Sequence, residues 1–201
     1  MSLIDAYITK KSNKDRENND FYPTPPIATL SLLKNHDVPL SLWEPAAGKG
    51  HITKELKRNG HEVFSSDLYE YENPLVPDIA TGVDFLKHEH LTGGVITNPP
   101  FKHNLPEKLL GHLLDDLDYP FVAFFLRLTF MESLRRYELF KKYPPTVIYV
   151  LSGRVNCHEK YVDNNNGLGG MVAYAWFVWD KRLDYTNKIE WIRPSDYIKD
   201  L

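Results

Sequence analysis

Cysteine is almost missing from this chain: Cys157 stands alone among 201 residues. A lone thiol excludes an intrachain disulfide framework and fits a reducing, cytosolic setting. No apolar run approaches membrane-spanning length, and no apolar stretch ahead of a small-residue cleavage site marks a signal peptide. Charge of one sign is also lacking. The net charge is only −3, so nothing draws the whole molecule to nucleic acid, and any such surface must be a local patch. Internal repeats and low-complexity tracts are absent. So are histidine or cysteine pairs at metal-binding spacing. His88, Glu89 and His90 are adjacent and point to different sides, and Cys157-His158 has no second pair, so no metal site is expected.

What remains is an ordinary globular composition, 42% hydrophobic and 25% charged, of a length suited to one domain with a sizeable core. Residues 1–20 mix charges without apolar periodicity and predict a mobile arm ahead of a single domain over 21–201. The change at Phe21-Tyr22-Pro23-Thr24-Pro25-Pro26 is abrupt. Thr24 is expected to cap a helix that carries a proline in its first turn and runs through Leu33. A strand over 40–43 leads into Glu44-Pro45-Ala46-Ala47-Gly48-Lys49-Gly50, a helix over 52–59 and a second strand over 62–66 that ends at Asp67. Further strands are predicted over 94–97, 121–128, 146–151 and 171–179, with helices over 105–117 and 132–143. Asn164-Asn165-Asn166-Gly167 and Gly169-Gly170 belong to a long loop. This alternation predicts an α/β fold with a mostly parallel, doubly wound sheet and one antiparallel strand at or near the edge.

The most specific stretch is Val95-Ile96-Thr97-Asn98-Pro99-Pro100-Phe101. A residue before proline is driven into extended geometry, and proline fixes its own φ and lacks an N–H. Asn98 is therefore displayed at a strand end with the Pro99 carbonyl beside it, and Phe101 offers a ring face. Two acceptors and a ring face suit a planar group with an exocyclic NH2. Glu44, at the end of the first strand, is placed to meet a cation or an amine. Gly48 and Gly50 allow close backbone approach at a helix start. Asp67 stands where an acid typically holds ribose hydroxyls. Asp84 and Phe85 could clamp an adenine ring, or equally cap a loop above a core Phe. Each of these alone reads as well as a turn or a cap. The lone Gly-x-Gly is not the dinucleotide motif, because the third glycine is absent.

In this order the motifs resemble the S-adenosylmethionine-dependent amino-methyltransferases of DNA, and in particular small phage- or prophage-type adenine methyltransferases. The likeness covers roughly residues 20–180 and includes the late Ala173 to Trp179 strand. It implies a Rossmann-like class I methyltransferase fold, S-adenosyl-L-methionine as cofactor, DNA as substrate and a cytoplasmic location in a bacterial or phage-infected cell. By this resemblance Phe21, Tyr22 and Thr24 would border the methionine end of the cofactor. Glu44, Ala46, Gly48 and Gly50 would form the cofactor loop, Asp67 would hold the ribose, and Asp84 and Phe85 the adenine. Asn98, Pro99 and Pro100 would form the catalytic corner that grips the target amine, and Phe101 would stack on the base.

Lys102, Arg127, Arg135, Arg136 and Arg154 are candidate phosphate contacts, though a solvated helix face explains the arginines on 132–143 equally well. Only about twenty residues follow Trp179, too few for a separate target-recognition domain, so a protein partner could supply specificity. Adenine in RNA, cytosine N4 and the glutamine amide of a protein remain open as other amine targets. A non-catalytic binding module on the same scaffold is the reading from another class.

Overall fold

The computed structural model describes residues 21–88, 90, 92–158, 162 and 167–201. The predicted arm over 1–20, Glu89 and the asparagines 164–166 lie outside these residues. Among the described residues eight strands form one sheet: β1 Ser41–Glu44, β2 Glu62–Asp67, β3 Ile79–Thr81, β4 Gly94–Thr97, β5 Phe121–Arg127, β6 Val147–Leu151, β7 Tyr174–Asp180 and β8 Lys188–Ile192. Their order is β3-β2-β1-β4-β5-β7-β6-β8. Every pairing is parallel except those of β7, which runs antiparallel to both β5 and β6. The expected fold class is therefore present. Its one antiparallel strand lies just inside the β6–β8 edge.

Both faces of the central strands β1, β4, β5 and β7 are buried, as continuous apolar strands require. Leu42, Ile96, Phe125 and Trp176 belong to one core layer, beneath helix α1 (Pro26–Leu33) and helix α2 (His51–Arg58). Trp43, Val95, Phe124 and Phe177 face the other, where helix α3 (Leu105–Gly111) contributes Leu109 and Leu110 and helix α4 (Leu134–Lys142) contributes Leu139 and Phe140. Alternate residues of each strand thus serve opposite layers. Beyond α3 the chain continues as one turn of π-helix, His112–Asp116.

Four differences from the sequence reading stand out, two with local causes and two from strand pairing. Thr24 does not cap α1: Pro25 occupies the cap position and no side-chain hydrogen bond is made there. The helix expected over 132–143 begins later, at Leu134, after the turn Leu128–Met131, and the cap is Ser133, which accepts from the Arg136 N–H. β3 is a three-residue strand recruited by β2. β8 is held along all five residues by β6, although Ile189 and Trp191 on one of its faces are exposed.

Candidate functional site

The sheet order reverses between β1 and β4, and in open α/β sheets the crevice outside the carboxyl ends of such strands is where ligands bind. β1 ends in Glu44, β2 ends in Asp67, and Asn98 directly follows β4. A cavity of about 360 Å³ opens there, lined by Glu44, Ala46, Gly48, Asp67, Asn98 and Pro100. Phe21, Tyr22 and Thr24 close it from the chain entering α1, and Asp84, Phe85 and Lys102 complete its wall. Its volume falls within the range of roughly 300–1,000 Å³ usual for small-molecule sites.

Glu44 is 1% exposed. Its Oε2 accepts from the Thr53 backbone N–H at 2.8 Å and from the Thr53 hydroxyl, which itself lies 2.6 Å from Ser65 Oγ. Burial pushes the Glu44 carboxyl up to about 8, partly opposed by these Thr53 bonds, with the nearby Asp67 adding to the rise. Asp67 is raised as well, chiefly by burial and against the Tyr69 and Gly48 N–H groups that donate to it. Those bonds measure 2.9 and 2.7 Å, so Asp67 ties its own strand end to the glycine turn.

The two turn glycines divide in role. Gly48 has φ +55° and lies under the Phe21 ring, where a Cβ would come within 2.4 Å of Phe21 Cε2. Gly50, at φ +85°, does not line the cavity: a Cβ there would meet Val76 Cγ2 at 2.6 Å, so this glycine serves packing beneath the β2–β3 connection. The Phe21 ring also meets Tyr71 at 4.9 Å between centroids, which roofs the glycine turn with two aromatics.

Asn98 is held by the entering chain. Its Nδ2 donates to the Tyr22 carbonyl at 2.9 Å and to Thr24 Oγ1 at 3.0 Å. Both hydrogens of the amide are thereby spent, and Oδ1 remains for another partner. Pro99 is buried beside it and does not line the cavity. Phe101 lies just outside the cavity, and the Arg127 guanidinium sits 5.2 Å from the centre of its ring and 5.5 Å from that of Tyr22. Arg127 is therefore a planar cation against two aromatic faces, further anchored by the Tyr174 hydroxyl, rather than an outward phosphate contact.

Asp84 reaches the cavity wall but caps its own turn through the Leu86 N–H at 3.1 Å and pairs with Lys87 at 2.9 Å. The Lys87 hydrogen bond holds its carboxyl below the usual range. Phe85 is 8% exposed and belongs to the core as well as to the cavity wall. Arg135 and Arg136 both pair with Glu107 Oε1, at 2.9 and 3.2 Å, and Arg154 donates to the Met171 carbonyl. None of these three arginines lines the cavity. The Cys157 thiol is buried, pushed up to about 12 and bonded to Tyr174, which makes it a structural thiol. Among the described residues no cluster of potential metal ligands occurs.

The sequence reading missed His51, Tyr69, Tyr71 and His103, all of which line the cavity. Tyr69 and Tyr71 sit in an irregular loop with no periodicity. His103 adopts φ +54°, which nothing short of the backbone reveals.

No family model matches the chain, and no curated protein matches it. Solved structures do resemble it in fold. A Lactococcus lactis protein provisionally described as a hemolysin aligns with a TM-score of 0.56 at 9% identity, over 91% of this chain and 99% of that one. A Listeria monocytogenes protein provisionally described as a class I S-adenosylmethionine-dependent methyltransferase gives 0.53 at 11% identity, over 94% and 70%. The 23S rRNA methyltransferase ErmE gives 0.53 at 15% identity, over 84% and 72%. The fold of this chain is the class I, Rossmann-like methyltransferase fold.

Proposed function

We propose that this protein transfers a methyl group from S-adenosyl-L-methionine to the exocyclic N6 amine of adenine in DNA. The observation that carries the reading is the Asn98 side chain, which lines the cavity and whose NH2 is bound by the entering chain, so that Oδ1 is left to accept. An amide oxygen at a rigid Asn-Pro-Pro-Phe corner suits a target that donates hydrogens.

The cavity fits the cofactor by its chemistry. Two buried acids, Glu44 and Asp67, stand where a ligand bearing a cationic centre and ribose hydroxyls would offset their burial. Asp84 and Phe85 offer an acceptor and an apolar face for its adenine, while Ala46, Gly48 and the roof of Phe21 and Tyr71 exclude water. When bound, the cofactor supplies an electrophilic sulfonium methyl.

Asn98 Oδ1 accepts an amine hydrogen, which favours a pyramidal nitrogen and localises a lone pair otherwise delocalised into the ring; the Pro99 carbonyl would accept the other only if the base reaches it from outside the cavity. The N–C bond would form as the C–S bond breaks, with S-adenosylhomocysteine as the leaving group and the surplus amine proton passing to water. Catalysis therefore rests on placing that nitrogen in line with the methyl group, more than on a strong base. In duplex DNA the base must leave the stack, at a cost of a few kcal/mol. Stacking on Phe101 offsets part of this, with Arg127 as the neighbouring planar cation. Lys102 and Arg154 remain the proposed backbone contacts, and a protein partner would supply further sequence specificity.

Methyl-labelled S-adenosylmethionine is incubated with the protein and unmethylated DNA, RNA or protein extract in parallel. Label recovered as N6-methyladenine from DNA is the expected result. Label confined to RNA, to cytosine N4 or to glutamine would retain the chemistry and overturn the substrate. Cofactor binding with no transfer to any of them would favour a missing protein partner or a binding module. Asn98→Ala is expected to lose at least 100-fold in kcat, roughly the cost of removing a transition-state hydrogen-bonding group, while calorimetry shows cofactor binding retained.

A further inference from the structure

We infer that Thr24 is a positioning residue: its hydroxyl, together with the Tyr22 carbonyl, holds the Asn98 amide so that Oδ1 faces the target amine. The inference rests on the function proposed above and extends it to a residue that does not itself touch the reacting atoms.

The orientation of the amide follows from its partners. A backbone carbonyl can only accept, so the 2.9 Å contact with the Tyr22 oxygen requires the NH2 end of Asn98 to face the entering chain. The second hydrogen of that NH2 goes to Thr24 Oγ1 at 3.0 Å. Were the amide turned over, its oxygen would meet the Tyr22 carbonyl and its NH2 would meet an amine substrate, donor against donor. The Tyr22 carbonyl opposes this reversal from one side, and the Thr24 hydroxyl stops the amide from tilting off it on the other.

Thr24 is available for this task because the local structure asks nothing else of it. A threonine at the entrance to a helix usually spends its oxygen on a cap. Here Pro25 holds the cap position, no side-chain cap bond is made, and α1 begins at Pro26. The following proline keeps Thr24 extended, and the residue is 2% exposed, so water does not compete for the hydroxyl. The same four residues carry Phe21, which covers Gly48 and meets Tyr71. One short segment therefore roofs the cavity and orients the acceptor at its wall.

Thr24→Val preserves shape and removes the hydroxyl, while Thr24→Ser restores it. For Thr24→Val the expected result is target KM within about twofold of wild type and kcat at saturating cofactor lower by about tenfold, the scale of one hydrogen bond. Thr24→Ser is expected to recover kcat to within about threefold. Hydrogen exchange at the Asn98 side-chain NH2, followed by nitrogen-15 NMR, gives a readout independent of activity: both hydrogens are slow in the wild type and one becomes fast in Thr24→Val. Wild-type kcat in Thr24→Val, or an equal loss in the valine and serine variants, would overturn the inference. If the wild-type protein methylates no amine at all, the proposed function fails, and the exchange experiment still decides whether Thr24 holds Asn98.

Discussion

At the scale of single residues, Glu44 makes the most direct prediction. Burial raises its carboxyl from the ordinary 4.5 to about 8, so between those values the folded protein holds a proton that the unfolded chain releases. Its contribution to stability is full below the lower value and is lost as pH rises through the upper one, by on the order of a few kcal/mol. Urea unfolding between about pH 5 and 9 is therefore expected to show wild type falling relative to Glu44→Gln. A cationic ligand in the cavity favours the carboxylate, so binding near neutrality releases a proton and tightens as pH approaches 8. Calorimetry in buffers of different ionisation enthalpy measures that release, and Glu44→Gln is expected to abolish it. Parallel stability profiles for the two proteins would show that Glu44 is already ionised.

Elements decide how the glycine turn is built. Gly48 combines a left-handed φ with a covering ring, whereas Gly50 meets Val76. Gly48→Ala is expected to cost about 1–3 kcal/mol from backbone strain and the displaced ring. In a Phe21→Ala background the steric part disappears and the φ part stays, so the two substitutions are expected to be less than additive in thermal melts. Additive losses would mean that Phe21 already lies elsewhere. At this scale the sequence was most legible where proline and glycine punctuate apolar runs. Those breaks placed Glu44, Asp67 and Asn98 at strand ends, where the structure has them. β8 was not legible: its apolar Ile189 and Trp191 stay exposed, and only pairing with β6 makes it a strand.

Across the whole molecule, the end of the sheet opposite the cavity is closed by a buried polar junction. His36 Nε2 lies 2.9 Å from Asp180 Oδ2, its Nδ1 lies 3.1 Å from the Tyr149 hydroxyl, and Arg182 reaches the same carboxylate oxygen at 2.7 Å. These contacts join the chain after α1 to β6 and β7. Burial raises the Asp180 carboxyl, but bonds from Arg182 and His36 outweigh it and leave the group below its ordinary value. Its contribution to stability is present above the unfolded pKa of 3.8 and is lost as pH falls through the lower folded one. Asp180→Ala strands both partners and is expected to cost about 3 kcal/mol in urea unfolding. Cofactor affinity at the far end of the sheet is expected to stay unchanged. A large loss of affinity with little loss of stability would reverse that assignment.

The sequence by itself determined the alternation of elements, the two buried faces of the sheet and the strand ends carrying Glu44, Asp67 and Asn98, because these depend on local periodicity and on proline and glycine geometry. Only the tertiary structure decided what those side chains face. It turned Thr24 from helix cap to partner of Asn98, gave Gly50 to packing, and laid Arg127 against Tyr22 and Phe101. Each of these contacts joins residues distant in the chain, and hydrogen-bond partners across such separations follow from how the layers meet rather than from any local pattern.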